Sequence, residues 1–204
     1  MPPTALPSPG GASAHCGLGY TPSMNLLIGV TGGIAAYKAC ELCSLAVKAG
    51  HSVRVMMTSS ATHFVGPVTF GGLTGSEVLV DTFTDAMAHI EWAKWADVIC
   101  IAPLTANTLS KLAIGLADDA LTTVTMALPV GRPVVLGPAM NTEMWNNPVI
   151  TRNRRWLDEL GRYITVEPAV KRLACGDFGP GGLADPADLL AACEAAYAPG
   201  IAST

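Results

Sequence analysis

Short apolar runs alternate with longer stretches of helical periodicity along most of the chain. Asn25-Leu26-Leu27-Ile28-Gly29-Val30 reads as a buried strand that enters Thr31-Gly32-Gly33 and then a helix from Ile34 to Lys48, closed by Gly50. Val53 to Met57 follows as a second strand ending in Thr58-Ser59-Ser60, which makes a strand, glycine turn, helix, strand unit. The pattern recurs. Asp97 to Ala102 is a buried strand ending in Pro103, with helices over Asn107 to Leu116 and Asp119 to Leu128. Pro133 to Gly137 is another strand, ending in Pro138-Ala139-Met140-Asn141. A helix from Asn147 to Leu160, a short strand from Tyr163 to Val166, a Gly-rich loop and a helix over Pro186 to Tyr197 complete the reading. Strands apolar throughout, rather than alternating, are covered on both faces. The expected fold is therefore α/β, a doubly wound parallel sheet in a single domain over residues 25–204. Residues 1–24, rich in Pro, Gly, Ser and Ala, are expected to be a flexible tail. Met1 to Ser23 has neither the basic nor the apolar region of a secretory signal.

Composition adds one constraint. With 50% hydrophobic and 14% charged residues the body of the chain must bury a large apolar surface, so disorder is excluded there. A mean hydropathy of +0.39 is high for a soluble monomer and calls for a membrane span or a subunit interface. The most apolar windows, Val98 to Ala106 and Leu121 to Met140, are broken by Pro103, Pro129, Arg132, Pro133 and Pro138. They fall short of the roughly 20 apolar residues that a span needs, so assembly is expected and insertion is not. A net charge of -4, with Arg152, Arg154 and Arg155 as the one basic cluster, argues against a nucleic-acid partner. Six cysteines without the spacing of a disulfide scaffold suit a reducing cytoplasm.

In doubly wound sheets the ligand sits outside the carboxyl ends of the strands. Here those ends carry Thr31-Gly32-Gly33, Thr58-Ser59-Ser60, Leu104-Thr105-Ala106-Asn107-Thr108 and Ala139-Met140-Asn141. Small, hydroxylic and amide residues supply neutral donors and leave backbone N–H groups accessible, as a phosphate at a helix N-terminus requires. Any one of these loops could do no more than cap the next helix. Gly29, Gly32 and Gly33 do not make G-x-G-x-x-G, no acidic residue closes the second strand, and G-x-x-x-x-G-K-[ST] is absent. Dinucleotides and nucleoside triphosphates are thereby disfavoured. A mononucleotide with one terminal phosphate fits best, and flavin mononucleotide (FMN) in a flavodoxin-like sheet is the obvious case.

Several segments carry a family resemblance: Gly32-Gly33-Ile34-Ala35-Ala36-Tyr37-Lys38, the stretch from His89 to Asp97, Ala102-Pro103-Leu104-Thr105-Ala106-Asn107-Thr108, Pro138-Ala139-Met140-Asn141-Thr142-Glu143-Met144-Trp145, and Ala174-Cys175-Gly176-Asp177. Over roughly Asn25 to Tyr197 the chain resembles the homo-oligomeric flavin-containing cysteine decarboxylases. That family includes phosphopantothenoylcysteine decarboxylases and peptidyl-cysteine decarboxylases, and the Pro-Ala-Met-Asn-x-x-Met-Trp element is its most specific match. The resemblance implies a flavodoxin-like, Rossmann-like fold, FMN, and assembly as a homotrimer that can build further, as in a dodecamer. By position it implies that Gly32, Gly33, Ile34, Thr58, Ser59, Ser60, Thr105, Ala106, Asn107, Thr108 and Ala139 bind flavin. It further implies that Asn141 and Met144 contact substrate, that His89 is the catalytic base and that Cys175 finishes the reaction in some members. One departure is Gly182, where many bacterial coenzyme A members have Arg.

Those roles are chemically coherent. A cysteine carboxylate needs an electron sink to leave, and oxidation of the thiol to a thioaldehyde, with flavin as acceptor, supplies one. Imidazole suits proton transfer near neutrality. Asn141 could hold the carboxylate without a salt bridge that opposes its departure. The implied substrate is 4'-phosphopantothenoylcysteine, for which Lys171 and Arg172 are candidate contacts, with a C-terminal peptidyl cysteine as the alternative. A non-catalytic flavin-binding regulatory subunit is the reading from another class. His51 and His63 are expected to be ordinary surface or packing histidines, Cys40, Cys43 and Cys100 packing residues, Trp92, Trp95 and Trp145 core or interface anchors, and Asp118-Asp119 a helix cap. No metal site is expected.

Overall fold

The computed structural model describes residues 22–81, 87–172, 176 and 178–197. A six-stranded parallel sheet forms the centre, built from β1 (Asn25–Val30), β2 (Ser52–Met57), β3 (Val78–Leu79), β4 (Val98–Leu104), β5 (Val134–Pro138) and β6 (Tyr163–Thr165). Its order is β3-β2-β1-β4-β5-β6. Without the two-residue edge strand β3, the other five have the flavodoxin order, with the reversal of direction between β1 and β4. The expected doubly wound parallel fold is what the chain adopts. Every residue of β4 and β5 is buried, which is why these strands read as unbroken apolar runs.

One face of the sheet is covered by α1 (Ala36–Lys48), α2 (Pro67–Thr74) and α8 (Pro186–Ala196). The other is covered by α3 (Ala88–Trp95), α4 (Ala106–Ile114), α5 (Ala120–Ala127) and α7 (Pro148–Glu159). The buried stripe of α1, Ala36, Ala39, Leu42, Cys43 and Ala46, follows helical spacing. Asp119 caps α5 in a reciprocal box with Thr122, and Asn147 caps α7 ahead of Pro148. Asp118 does not share the capping expected of the pair and binds Lys111 instead.

Several elements were not expected. In α2 only Phe70 is buried and Gly71-Gly72 interrupts it, so no apolar stripe marks it. Strand β3 has two residues, and α6 (Thr142–Asn146) has five, too few to show a period. The Gly-rich segment expected as a loop is instead an antiparallel hairpin, β7 (Ala169–Arg172) and β8 (Phe178–Gly182). Glycine and proline are depleted in strands, so β8 has no strand signature. The fold packs from Met24, which is buried; residues 1–21 of the expected tail lie outside the described residues. Among the described residues no helix is long and apolar enough to cross a membrane.

Candidate active site

The carboxyl ends of β1, β2, β4 and β5 open into one cleft of about 1190 Å³. That exceeds the roughly 300–1,000 Å³ of ordinary ligand pockets and leaves room for two bound molecules side by side. Thr31 ties its two central walls together. The buried hydroxyl donates to the Pro103 carbonyl at 2.7 Å and accepts from the Thr105 amide at 3.0 Å. On the β2 side, the Thr58 amide donates to the Val30 carbonyl at 3.0 Å, and its Oγ1 accepts from the Ala61 amide, capping a 3-10 turn over Ser59–His63. That turn lies directly on Gly32, where a Cβ would overlap the side chain of Ser60 and come 2.9 Å from its backbone carbon. Gly33 is less confined, since a Cβ there would make an ordinary 3.5 Å contact with Thr105.

On the other side, the Ala139 amide donates to the Leu104 carbonyl at 3.0 Å, and Thr105 caps α4. The Oδ1 of Asn141 accepts from the Glu143 amide at 2.7 Å and starts α6. This bond orients the side-chain amide and assigns its NH2 end the role of donor. The hairpin docks on the same loop: the Met140 amide donates to the Gly181 carbonyl at 2.9 Å, and Thr142 Oγ1 donates to the Pro180 carbonyl at 2.8 Å.

All thirteen residues expected to bind flavin or contact substrate, from Gly32 to Met144, line this cleft. His89 does not. It lies partly exposed in the first turn of α3, on the helical layer that holds α5. Two arginines brace the helix. Arg54 stacks between Trp92 and Trp95, 5.3 and 4.5 Å from their centroids. Arg132 donates to the carbonyls of Ala93, Lys94 and Ala96 at the C-terminal end of α3. Cys175 lies outside the described residues.

The sequence reading missed Tyr37, Lys38 and the Lys111–Asp118–Asp119 group as cleft residues. Lys38 carried a signal, because a cation in the first turn of a helix opposes the helix dipole and calls for a reason. Burial pulls the Lys111 ammonium down, but the hydrogen bonds it donates to Asp118 at 2.6 Å and Asp119 at 3.1 Å leave it above the usual lysine range. Lys171 goes the other way, lowered by burial and by the nearby charge of Lys38 against the opposing pull of Asp185.

Of the other singled-out residues His63 is exposed, and the rest pack. Cys43 is buried in the core and its thiol is pushed up to about 12, mainly by burial. Cys100 is raised by its hydrogen bond to Cys193 and by burial, and neither thiol is available as a nucleophile. Trp145 is buried beneath Arg154 at 3.6 Å. His51 is buried, with Nε2 at 3.0 Å from Glu194. Among the described residues no three His, Cys, Asp or Glu side chains gather as a metal site would require.

Comparison with known proteins decides the family. The family model described as Flavoprotein matches residues 19–197. The chain belongs to the Flavoprotein family. A relative in Bacillus subtilis (strain 168), the coenzyme A biosynthesis bifunctional protein CoaBC, is 46% identical over 178 residues, which is 85% of this chain and 43% of the relative. The chain thus spans less than half the length of that relative. The probable phosphopantothenoylcysteine decarboxylase of Streptococcus mutans serotype c (strain ATCC 700610 / UA159) is 42% identical across 78% of this chain and 91% of its own. Among solved flavoproteins, a PPC decarboxylase mutant complexed with pantothenoylaminoethenethiol is 38% identical with a TM-score of 0.74, covering 84% of this chain and 96% of that one. The FMN-dependent cysteine decarboxylase SpaF is 34% identical with a TM-score of 0.73, covering 86% and 98%.

Proposed function

We propose that this protein is an FMN-dependent decarboxylase of a cysteine bearing a free carboxylate, and that its substrate is 4'-phosphopantothenoylcysteine. The observation that carries the reading is the convergence, in one cleft, of neutral donor loops from four strands with the capped Asn141 amide under a docked hairpin. The residues fit FMN. Gly32 leaves open the strip beside Ser60 that a Cβ would fill, and the first turns of α4 and of the Ser59–His63 turn supply backbone donors for a phosphate without a cation. Bound there, FMN would supply the two-electron oxidation of the substrate thiol that lets the carboxylate leave.

The chain's own residues do the rest. Asn141 holds the carboxylate through neutral hydrogen bonds and positions it without stabilising it against departure. His89 exchanges the proton, and Cys175 donates to the product. Since His89 lies outside the cleft of its own chain, a second copy supplies it. We place the exposed Ile34 and Tyr37 at the cleft rim in that contact. A homotrimer is the expected assembly, able to stack further, in the cytoplasm. Relatives named for coenzyme A biosynthesis and the cations Lys38, Lys171 and Arg172 in the cleft favour the phosphorylated substrate over a peptide.

The test is purified protein with bound FMN, incubated with 4'-phosphopantothenoylcysteine or with a peptide ending in cysteine, read by mass spectrometry. Loss of CO2 alone marks the thiol product, and loss of CO2 plus two hydrogens marks a released enethiol. Turnover of the peptide alone would reassign the substrate, and turnover of neither would leave a flavin-binding protein without this activity. Light scattering should give a multiple of three chains.

Gly32→Ala should strip the cofactor while Gly33→Ala should not. The new methyl at position 32 must push the Ser60 turn away, a strain of about 1–3 kcal/mol, which corresponds to roughly 5- to 150-fold weaker FMN binding. Fluorescence titration of the apo forms measures the difference, and equal affinities for the two variants would refute the placement of FMN against Gly32.

A further inference from the structure

Strand β8 runs Phe178-Gly179-Pro180-Gly181-Gly182, and each of its glycines lies against a neighbour that leaves a side chain no room. A Cβ at Gly179 would come 2.7 Å from Thr142 Oγ1, and one at Gly181 would overlap the Met140 carbonyl. These two contacts fasten the hairpin to the Asn141 loop. The third differs in kind. The space in front of Gly182 is filled by the stem of Lys171, whose Cε a Cβ at position 182 would overlap. Lys171 crosses from β7 over the irregular pairing beside Gly181, and its Nζ donates to the Leu183 carbonyl at 2.9 Å.

The carbonyl uses one of three ammonium donors. Lys171 faces the cleft together with Lys38, and among the described residues neither makes an ion pair. The two cations repel each other across the cleft, Asp185 offsets only part of this, and burial adds to the cost. An anionic ligand relieves both. That anion is not the reacting carboxylate, because a cation bound to it would stabilise the ground state more than the transition state. With the FMN phosphate assigned above to backbone donors at α4 and the Ser59–His63 turn, the anion left for Lys171 is a group that remains on the product.

We infer that Lys171, seated in the volume vacated by Gly182, is a specificity-determining residue that contacts a phosphomonoester on the substrate. The inference rests on the decarboxylase reading above and names the residue that selects the phosphorylated form. Position 182 and the stem of Lys171 compete for one volume, so a side chain at 182 displaces the Lys171 cation from it.

The experiment compares kcat/KM for 4'-phosphopantothenoylcysteine and for pantothenoylcysteine in the FMN-loaded enzyme. Lys171→Met should lower the ratio of the two about 10- to 100-fold, mainly through KM, as expected for loss of one charge-assisted hydrogen bond. Gly182→Ala should do the same with Lys171 still present, because the methyl displaces its stem. The exchange Lys171→Ala with Gly182→Arg should return most of the ratio by supplying the cation from the other strand. Bound-flavin absorbance and Tm report whether each variant is folded. An unchanged ratio in Lys171→Met, or an equal loss on both substrates, overturns the inference and leaves the decarboxylase reading standing. Turnover by the wild type of neither substrate, with a cysteine peptide also inert, overturns both.

Discussion

Replacing His89 by Asn is expected to lower kcat by roughly 10²- to 10⁴-fold while FMN remains bound, the range for loss of a general acid–base group. FMN retention is the discriminating part. His89 lines no part of the cleft in its own chain, so a change there leaves the cleft walls from Gly32 to Ala139 intact. The fold should also survive, since α3 is held by Arg54 against Trp92 and Trp95 and by Arg132 at its C-terminal end, not by His89. Single-turnover rates with a flavin-to-chain ratio and a melting curve make the measurement. Full turnover in His89→Asn would remove the base from the proposal. Co-expression of His89→Asn with an Asn141 variant should recover activity above either alone, because a shared site pairs the intact His89 of one copy with the intact Asn141 of another.

Asn141→Asp is expected to reduce kcat/KM by about 10²-fold or more. The change replaces a donor with a carboxylate facing the substrate's carboxylate, combining a lost hydrogen bond to a charged group with like-charge repulsion. Asp caps helices as well as Asn does, so α6 and the docking of Met140 and Thr142 on the hairpin are preserved. Stability and FMN binding should therefore stay near wild type, and a variant that binds substrate normally would show that the carboxylate is held elsewhere. Raising pH should not rescue it, whereas protonation of the new carboxylate at low pH should do so in part.

Much of this site was legible because of where the residues fall in the chain. In a doubly wound sheet the segment after each buried strand lies at the same edge, so Thr31-Gly32-Gly33, Thr58-Ser59-Ser60, Thr105 to Thr108 and Ala139 to Asn141 could be grouped from the strands alone. Capping and cleft lining are not exclusive: Thr58 and Thr105 cap the turns they begin and also line the cleft. What stayed hidden depended on contacts across the chain. Lys171 and Gly182 are complementary only because β7 lies beside β8, and a glycine-rich strand has no apolar alternation to reveal that pairing. Lys38 and Lys111 come to the cleft through helix orientation.

The sequence by itself determined the layered α/β architecture, the edge of the sheet at which the cleft opens, and the family. The architecture and the edge follow from local pattern: strands buried on both sides must be apolar throughout, and the segments that follow them gather at their carboxyl ends. Only the tertiary structure decided that Gly32 is obligatory where Gly33 is not, that Asn141 is oriented by its own helix cap, and that His89 stands apart from the cleft of its chain. These depend on which side chain fills which volume, a property of packing between distant segments that no local pattern encodes.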